Sequence, residues 1–303
     1  MKSQGNIMSR RSIAAVTGLT LAWRVTLVPA VAQNAYITNQ GVYPNFSNKV
    51  TVIDTTTNKV VTTIDVGLAP AGVAVTPDGS KVYVANKGRH STVSIIDTAT
   101  DSVSTTIDVG LTPIGVAVTP DGSKLYVANE AVNGTVSVID TATNAVSATV
   151  AVGSNPVGVA VKPDGSKIYV ANRGDGTVSV IDATNKVVAT IKVGLAPFGV
   201  AVTPDGSKVY VTNLNNTVSV IATATNAVSA TISVGNGPLG VAFTPDGSKA
   251  YVANQYDHTV SVIATASNTV VATIDVGTSP IAFGIFILPR FAGTAGSPTT
   301  RRK

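Results

Sequence analysis

The stretch Lys124-Leu125-Tyr126-Val127-Ala128-Asn129 recurs, with small changes, along nearly the whole chain. Its last four residues return as Tyr36-Ile37-Thr38-Asn39, Tyr83-Val84-Ala85-Asn86, Tyr169-Val170-Ala171-Asn172, Tyr210-Val211-Thr212-Asn213 and Tyr251-Val252-Ala253-Asn254. The start-to-start spacings are 47, 43, 43, 41 and 41 residues. A fixed period of this size marks a propeller, a solenoid or an array, and strand-rich content selects the propeller.

Working outward from Tyr126, each repeat resolves into four short strands. The first is the apolar run Pro113-Ile114-Gly115-Val116-Ala117-Val118. The turn Pro120-Asp121-Gly122-Ser123 follows, and Asp-Gly between apolar runs is a strong hairpin signal. Lys124 to Asn129 is the second strand and Thr135-Val136-Ser137-Val138-Ile139-Asp140 the third, with period-2 alternation. After a Thr-Ala-Thr-Asn turn, Ala145 to Val152 forms the fourth, and Gly153 ends the unit. No stretch of the repeats has sustained helical periodicity, so the expected class is all-β.

The phase of the repeats predicts a closed ring. The first repeat begins at strand two, Ala35 to Asn39, and lacks strand one. Five complete repeats follow, and the C-terminus supplies a lone strand one, Pro280-Ile281-Ala282-Phe283-Gly284-Ile285-Phe286. Three N-terminal strands plus one C-terminal strand make a sixth blade, with Ile281–Ile287 pairing beside Ala35–Asn39. The expectation is a six-bladed β-propeller of four-stranded antiparallel blades, one domain over residues 33–288.

These motifs resemble the YVTN β-propeller repeat family, also called surface-layer-type repeats. The resemblance rests on Tyr-Val-x-Asn, Thr-Val-Ser-Val-Ile-Asp, Val-Gly, Pro-x-Gly-Val-Ala-Val and Thr-Pro-Asp-Gly-Ser-Lys, spread over Ala35 to Leu288. It implies an extracytoplasmic or cell-surface protein, with lactonase-like and cofactor-linked periplasmic relatives. Many relatives have seven blades, whereas six copies of every strand type are counted here.

Composition fits one large β domain: 44% hydrophobic and 12% charged residues, with no cysteine and hence no disulfide or thiolate metal site. The net charge of +5 sits at the ends. Residues 1–32 hold Lys2, Arg10, Arg11 and Arg24 without an acid, and Arg290, Arg301, Arg302 and Lys303 crowd the tail, so the ring itself is slightly acidic. No basic stripe with stacking aromatics accompanies the charge, which argues against a nucleic-acid partner.

The N-terminus has the layout of an export signal. Met1 to Arg11 is basic, Ser12 to Trp23 is largely apolar, and Ala30-Val31-Ala32 fits small-x-small cleavage before Gln33. Ser9-Arg10-Arg11-Ser12-Ile13 also resembles a twin-arginine signal, although Arg24 interrupts the apolar region. No run of about 18 apolar residues predicts an integral membrane span. The expected location is extracytoplasmic (periplasm, cell surface or secreted), the expected state a monomer, and residues 289–303 are expected to form a disordered tail.

Repetition supplies an internal control: what every blade shares serves the scaffold, and what differs is free for specific work. By that test Asp78-Gly79, Asp121-Gly122, Asp164-Gly165, Asp205-Gly206 and Asp246-Gly247 are turns, not calcium sites. Glycines 72, 115, 158, 199 and 240 answer a crowded axis. The tyrosine is expected to pack between blades with its hydroxyl hydrogen-bonded, and the asparagine to bond backbone at the strand-two exit. Asp54, Asp97, Asp140 and Asp182 begin turns, becoming Ala222 and Ala264 in the last two blades.

Variation concentrates in the loops between strands two and three, which share one face of the disc. The two histidines, His90 and His258, fall in blades two and six, the neighbours of blade one. The candidate binding set is therefore Tyr43, Phe46, Arg89, His90, Tyr256, Asp257 and His258; the plainer alternative is exposed surface residues beside a closure seam. Arg173-Gly174-Asp175-Gly176 contains an adhesion-type tripeptide. No catalytic triad, paired-carboxylate site, metal-ligand spacing or cofactor motif is legible: Glu130 is the sole glutamate, and serines such as Ser137, Ser179 and Ser219 occupy repeated scaffold positions. The favoured function is a binding or interaction scaffold whose partner is a protein, the cell envelope or a small molecule. The alternative is a periplasmic enzyme or cofactor-pathway accessory of lactonase or lyase type.

Overall fold

The computed structural model describes residues 34–42 and 44–281. Among these, 23 strands form six sheets and no helix occurs. Blade one contains β1 (Asn34–Val42), β2 (Asn45–Asp54) and β3 (Lys59–Asp65). Blade two contains β4 (Pro70–Val75), β5 (Lys81–Asn86), β6 (Thr92–Asp97) and β7 (Ser102–Asp108). Blade three contains β8 (Pro113–Val118), β9 (Lys124–Asn129), β10 (Thr135–Asp140) and β11 (Ala145–Ala151). Blade four contains β12 (Pro156–Val161), β13 (Lys167–Asn172), β14 (Thr177–Asp182) and β15 (Val187–Lys192). Blade five contains β16 (Pro197–Val202), β17 (Lys208–Asn213), β18 (Thr217–Ala222) and β19 (Ala227–Ser233). Blade six contains β20 (Pro238–Phe243), β21 (Lys249–Asn254), β22 (Thr259–Ala264) and β23 (Thr269–Asp275). Each sheet is an antiparallel meander in chain order.

Local chemistry sets the strand ends. The Gly122 amide donates to the Thr119 carbonyl at 2.8 Å, closing a turn around Pro120 and Asp121. Gly122 takes φ +73°, where a Cβ would be strained, and Asp121 Oδ1 accepts from the Ser123 amide at 3.0 Å. Between strands three and four, Asp140 accepts from the amides of Ala142 (3.0 Å) and Thr143 (2.8 Å). In blade five Ala222 replaces that aspartate, yet the Asn226 amide still donates to the Ala222 carbonyl at 2.9 Å. The backbone closes this turn without the carboxylate, as expected of a local role.

The core lies between blades. Tyr83, Ile95 and Ile107 of blade two pack with Leu125, Val127 and Ile139 of blade three, and four equivalent clusters join the other consecutive blades. Each fully buried aliphatic chain contributes about 1.5–3 kcal/mol. At the axis, a Cβ on Gly115 would lie 2.2 Å from the Val157 carbonyl oxygen of the next blade, and Gly72, Gly158 and Gly199 are equally tight. The glycines therefore set how closely inner strands approach.

The tyrosines bridge blades. Tyr36 donates to Asp101 at 3.1 Å, Tyr126 to Asn185 at 3.0 Å and Tyr210 to Asn268 at 2.7 Å, each acceptor in the next blade's turn. The hydroxyls of Tyr83 and Tyr169 are buried without a partner. The asparagines depart from expectation. Their amides donate to side-chain hydroxyls of strand three, as Asn129 does to Thr135 (3.0 Å) and Ser137 (2.9 Å), because those side chains share the strand's buried face.

Among the described residues, core clusters seal five junctions, each between consecutive blades. Ile64, Ile107, Val150, Ile191 and Ile232 are 5–8% exposed, whereas their counterpart Ile274 in blade six is 44% exposed. On the facing side Ile37 of blade one is 47% exposed, while Val84, Val127, Val170, Val211 and Val252 are all 0%. Blade one has three strands, as the repeat phase predicts. The closing segment beyond Ile281, the N-terminal leader and the tail 289–303 lie outside the described residues.

Candidate functional site

Alternating strand direction separates two faces. One carries the Asp-Gly turns and the strand three-to-four turns. The other carries the strand two-to-three loops and the connectors into each inner strand. Glycines 72, 115, 158, 199 and 240, each followed by valine, line the cavity on the axis between them, of about 50 Å³. That lining has no titratable or nucleophilic side chain.

On the turn face, the polar groups are occupied by the turns themselves. A hydrogen bond from the threonine hydroxyl two residues earlier, then the following serine's amide and hydroxyl, hold Asp78, Asp121, Asp205 and Asp246 down to about 2. Asp164 is lowered first by Lys162, with which it forms an ion pair. A cavity of about 240 Å³ between blades five and six includes Asp205, Lys208 and Asp246 in its lining, but Lys208 Nζ already donates to the Thr265 carbonyl at 2.8 Å. Carboxylates with depressed native pKa values add stability above their unfolded value near 4, and that contribution is lost as pH falls toward 2. The denaturant midpoint is accordingly expected to drop between about pH 4 and pH 2. Converting these four aspartates to asparagine should flatten that drop; an unchanged pH profile would show that the turns carry no such linkage.

On the loop face, the structure distributes the predicted residues among different tasks. Tyr43 lies outside the described residues, and Phe46 is partly exposed. Arg89 and His90 are exposed, and neither side chain forms a hydrogen bond or ion pair among the described residues. Asp257 Oδ2 accepts from the Asn236 amide at 2.7 Å, and His258 Nδ1 accepts from the Ser279 amide at 3.0 Å. His258 has φ +58°, the place held by Gly176 in blade four and Asn216 in blade five. Asp257 and His258 thus build a turn, while Arg89 and His90 stand free. The Arg-Gly-Asp element is likewise engaged: Arg173 pairs with Glu130 at 3.3 Å, and Asp175 accepts from the Ser154 amide at 2.7 Å.

Sequence reasoning overlooked the apolar members of this face. Leu111 is 71%, Val132 77% and Leu195 71% exposed. A signal was present in the connector Gly110-Leu111-Thr112-Pro113, where a large apolar residue precedes the strand instead of joining it. Among the described residues no group of three or more His, Asp or Glu side chains could hold a metal ion. No helix among them is long and apolar enough to cross a membrane.

Residues 97–277, more than half of the chain, match the model of the lactonase family with a seven-bladed β-propeller. The chain belongs to this lactonase family. Among solved structures, this lactonase-family propeller is similar to hydrazine synthase of Kuenenia stuttgartiensis, with 25% identity and a TM-score of 0.73 over 82% of this chain and 84% of that one. It is also similar to a functionally unknown protein of Desulfotomaculum acetoxidans, with 22% identity and a TM-score of 0.70 over 83% of each. No curated protein matches the sequence. The family is described as seven-bladed, whereas the described residues of this lactonase-family member form six sheets.

Proposed function

We propose that the protein is an exported, extracytoplasmic binding scaffold that engages its partner through the loop face, around Arg89 and His90. The observation that carries this reading is the division of labour between the faces. Turn-face carboxylates are occupied by their own turns, the axis is lined by glycine and valine, and free polar and apolar side chains gather on the loops. Export rests on the leader's basic, apolar and small-x-small segments. A second reading, hydrolysis of a lactone, follows from family membership; it would draw on the same Arg89, His90 and neighbouring acids of the loop face.

The test pairs the Arg89→Ala/His90→Ala variant with the parent. Its melting temperature should stay unchanged, since exposed loop substitutions cost within about 0.5 kcal/mol each. Its association with isolated cell envelopes should weaken at least about tenfold, the effect of losing one or two charged contacts. Turnover of five- or six-membered lactones by the parent, abolished in the variant, would replace the scaffold reading with the enzymatic one.

A further inference from the structure

The connector into blade six departs from the others on the loop face. After the paired Val-Gly, the earlier connectors read Leu68-Ala69, Leu111-Thr112, Ser154-Asn155 and Leu195-Ala196, and this one reads Asn236-Gly237. Ala69, Thr112, Asn155 and Ala196 all hold φ between +47° and +54°, so the backbone here is reached without glycine. Gly237, at φ +66°, answers a different need: a Cβ there would lie 2.5 Å from Cδ2 of Tyr256 and 2.9 Å from its Cε2. The missing side chain makes a seat for the ring. At the Ser154 connector the neighbouring loop brings Val132 instead, where the Asn155 amide donates to the Ala131 carbonyl at 2.8 Å.

The seat is braced from both flanking loops. The Tyr256 amide donates to the Asn236 carbonyl at 3.1 Å, and the Gln255 amide to the Gly237 carbonyl at 2.9 Å. In return the Asn236 amide donates to Asp257 Oδ2 at 2.7 Å, and the Gly237 amide to Asn216 Oδ1 of blade five at 3.2 Å. These bonds fix three segments around a tyrosine that is 63% exposed. A ring held still before its partner arrives loses little freedom on binding, which is what a recognition platform requires.

The polar groups around it suit one chemistry. Segments 214–217, 234–238 and 255–258 hold the side-chain amides of Asn215, Asn216, Asn236 and Gln255 and the carboxylate of Asp257, with no Lys or Arg. Asn215 Oδ1 accepts from the Thr217 hydroxyl at 3.0 Å and Asn216 Oδ1 from Gly237, which leaves both Nδ2 groups as donors. Asp257 keeps Oδ1 as an acceptor beyond its turn bond, and Asn236 and Gln255 each offer a donor and an acceptor. His258 is engaged through Nδ1 by the Ser279 amide.

We infer that this junction of blades five and six binds a neutral pyranose sugar, stacked on Tyr256. The C–H face of a pyranose carries partial positive charge and packs on the negative face of an aromatic ring. Its hydroxyls each donate and accept, so they pair with side-chain amides and a carboxylate. An acidic sugar finds no base in these segments and meets Asp257 instead. The inference rests on the reading of the loop face as the binding face, names a ligand class, and sets it at a junction separate from Arg89 and His90 of blade two.

Calorimetric titration of the intact protein with the methyl glycosides of glucose, galactose, mannose and N-acetylglucosamine, with glucuronate as the acidic control, tests it. At least one neutral glycoside should bind with a Kd of about 1 mM or tighter, and glucuronate at least about tenfold more weakly. Tyr256→Ala should weaken binding at least about tenfold with an unchanged melting temperature, and Tyr256→Trp should retain it. Gly237→Ala keeps a backbone that Ala69 and Ala196 already adopt but unseats the ring, and should weaken binding by a similar factor. Arg89→Ala/His90→Ala should leave it unchanged. Release of the protein from isolated envelopes by the bound glycoside would make the ligand an envelope glycan, and no release a free sugar. Undiminished binding in Tyr256→Ala overturns the proposal, as does the absence of binding by every neutral glycoside up to about 50 mM. If envelope association still falls with Arg89 and His90 in that event, the loop-face reading survives.

Discussion

Replacing Gly158 by alanine is expected to destabilise the protein by about 3 kcal/mol, although it adds a single methyl group. The new Cβ would sit 2.2 Å from the carbonyl oxygen of Phe198 and 3.2 Å from the Val200 amide nitrogen. Both obstacles are backbone of the next blade's inner strand, so no side chain can rotate aside. Relief requires blades four and five to separate, which loosens the junction of Tyr169, Val178 and Val180 against Val209, Val211 and Ile221. Gly277→Ala is the matching control: its Cβ meets nothing within 4 Å, and its effect should stay within about 0.5 kcal/mol. Urea unfolding of the two variants checks the contrast. Equal midpoints would mean that the inner strands stand further apart than the structure has them.

Asn172→Ala should cost about 2–4 kcal/mol. Asn172 is fully buried, and its amide donates to Thr177 at 3.0 Å and to Ser179 at 2.9 Å. It also packs against Gly153, where a Cβ would lie 2.6 Å from its Cγ. Alanine removes both hydrogen bonds, leaves two hydroxyls short of a partner and opens a void between strand and connector. Asn215→Ala removes an amide from an exposed loop position and should change stability by less than about 0.5 kcal/mol. Comparable unfolding midpoints for the two variants would show that the buried amide serves no structural purpose.

The strand plan was legible in the sequence because each strand carries its own boundary chemistry. Pro113 opens β8, the Asp121-Gly122 turn divides it from β9, and Asp140 closes β10 with its own turn. The partner of Asn129 was not legible. Strand residues two apart share a face, so Thr135 and Ser137 both reach the buried amide, but only the register between β9 and β10 shows this. At the candidate site, sequence reasoning gave chemical richness too much weight. Asp257 and His258 look like site residues by composition, yet positive φ and backbone amides claim them. Val132 and Tyr256 replace missing connector leucines from another loop, a substitution in space that no alignment of repeats brings out.

The order of the sealed junctions bears on how the chain reaches its structure. Every core cluster of the described residues joins consecutive blades, so its contacts span roughly one repeat and none must wait for the two ends to meet. Loop-closure entropy is therefore met in short instalments, and the effective contact order is low for an all-β protein. As the chain leaves the ribosome, each new blade finds its neighbour already waiting. The molecule can grow vectorially, like a spiral stair laid one tread at a time.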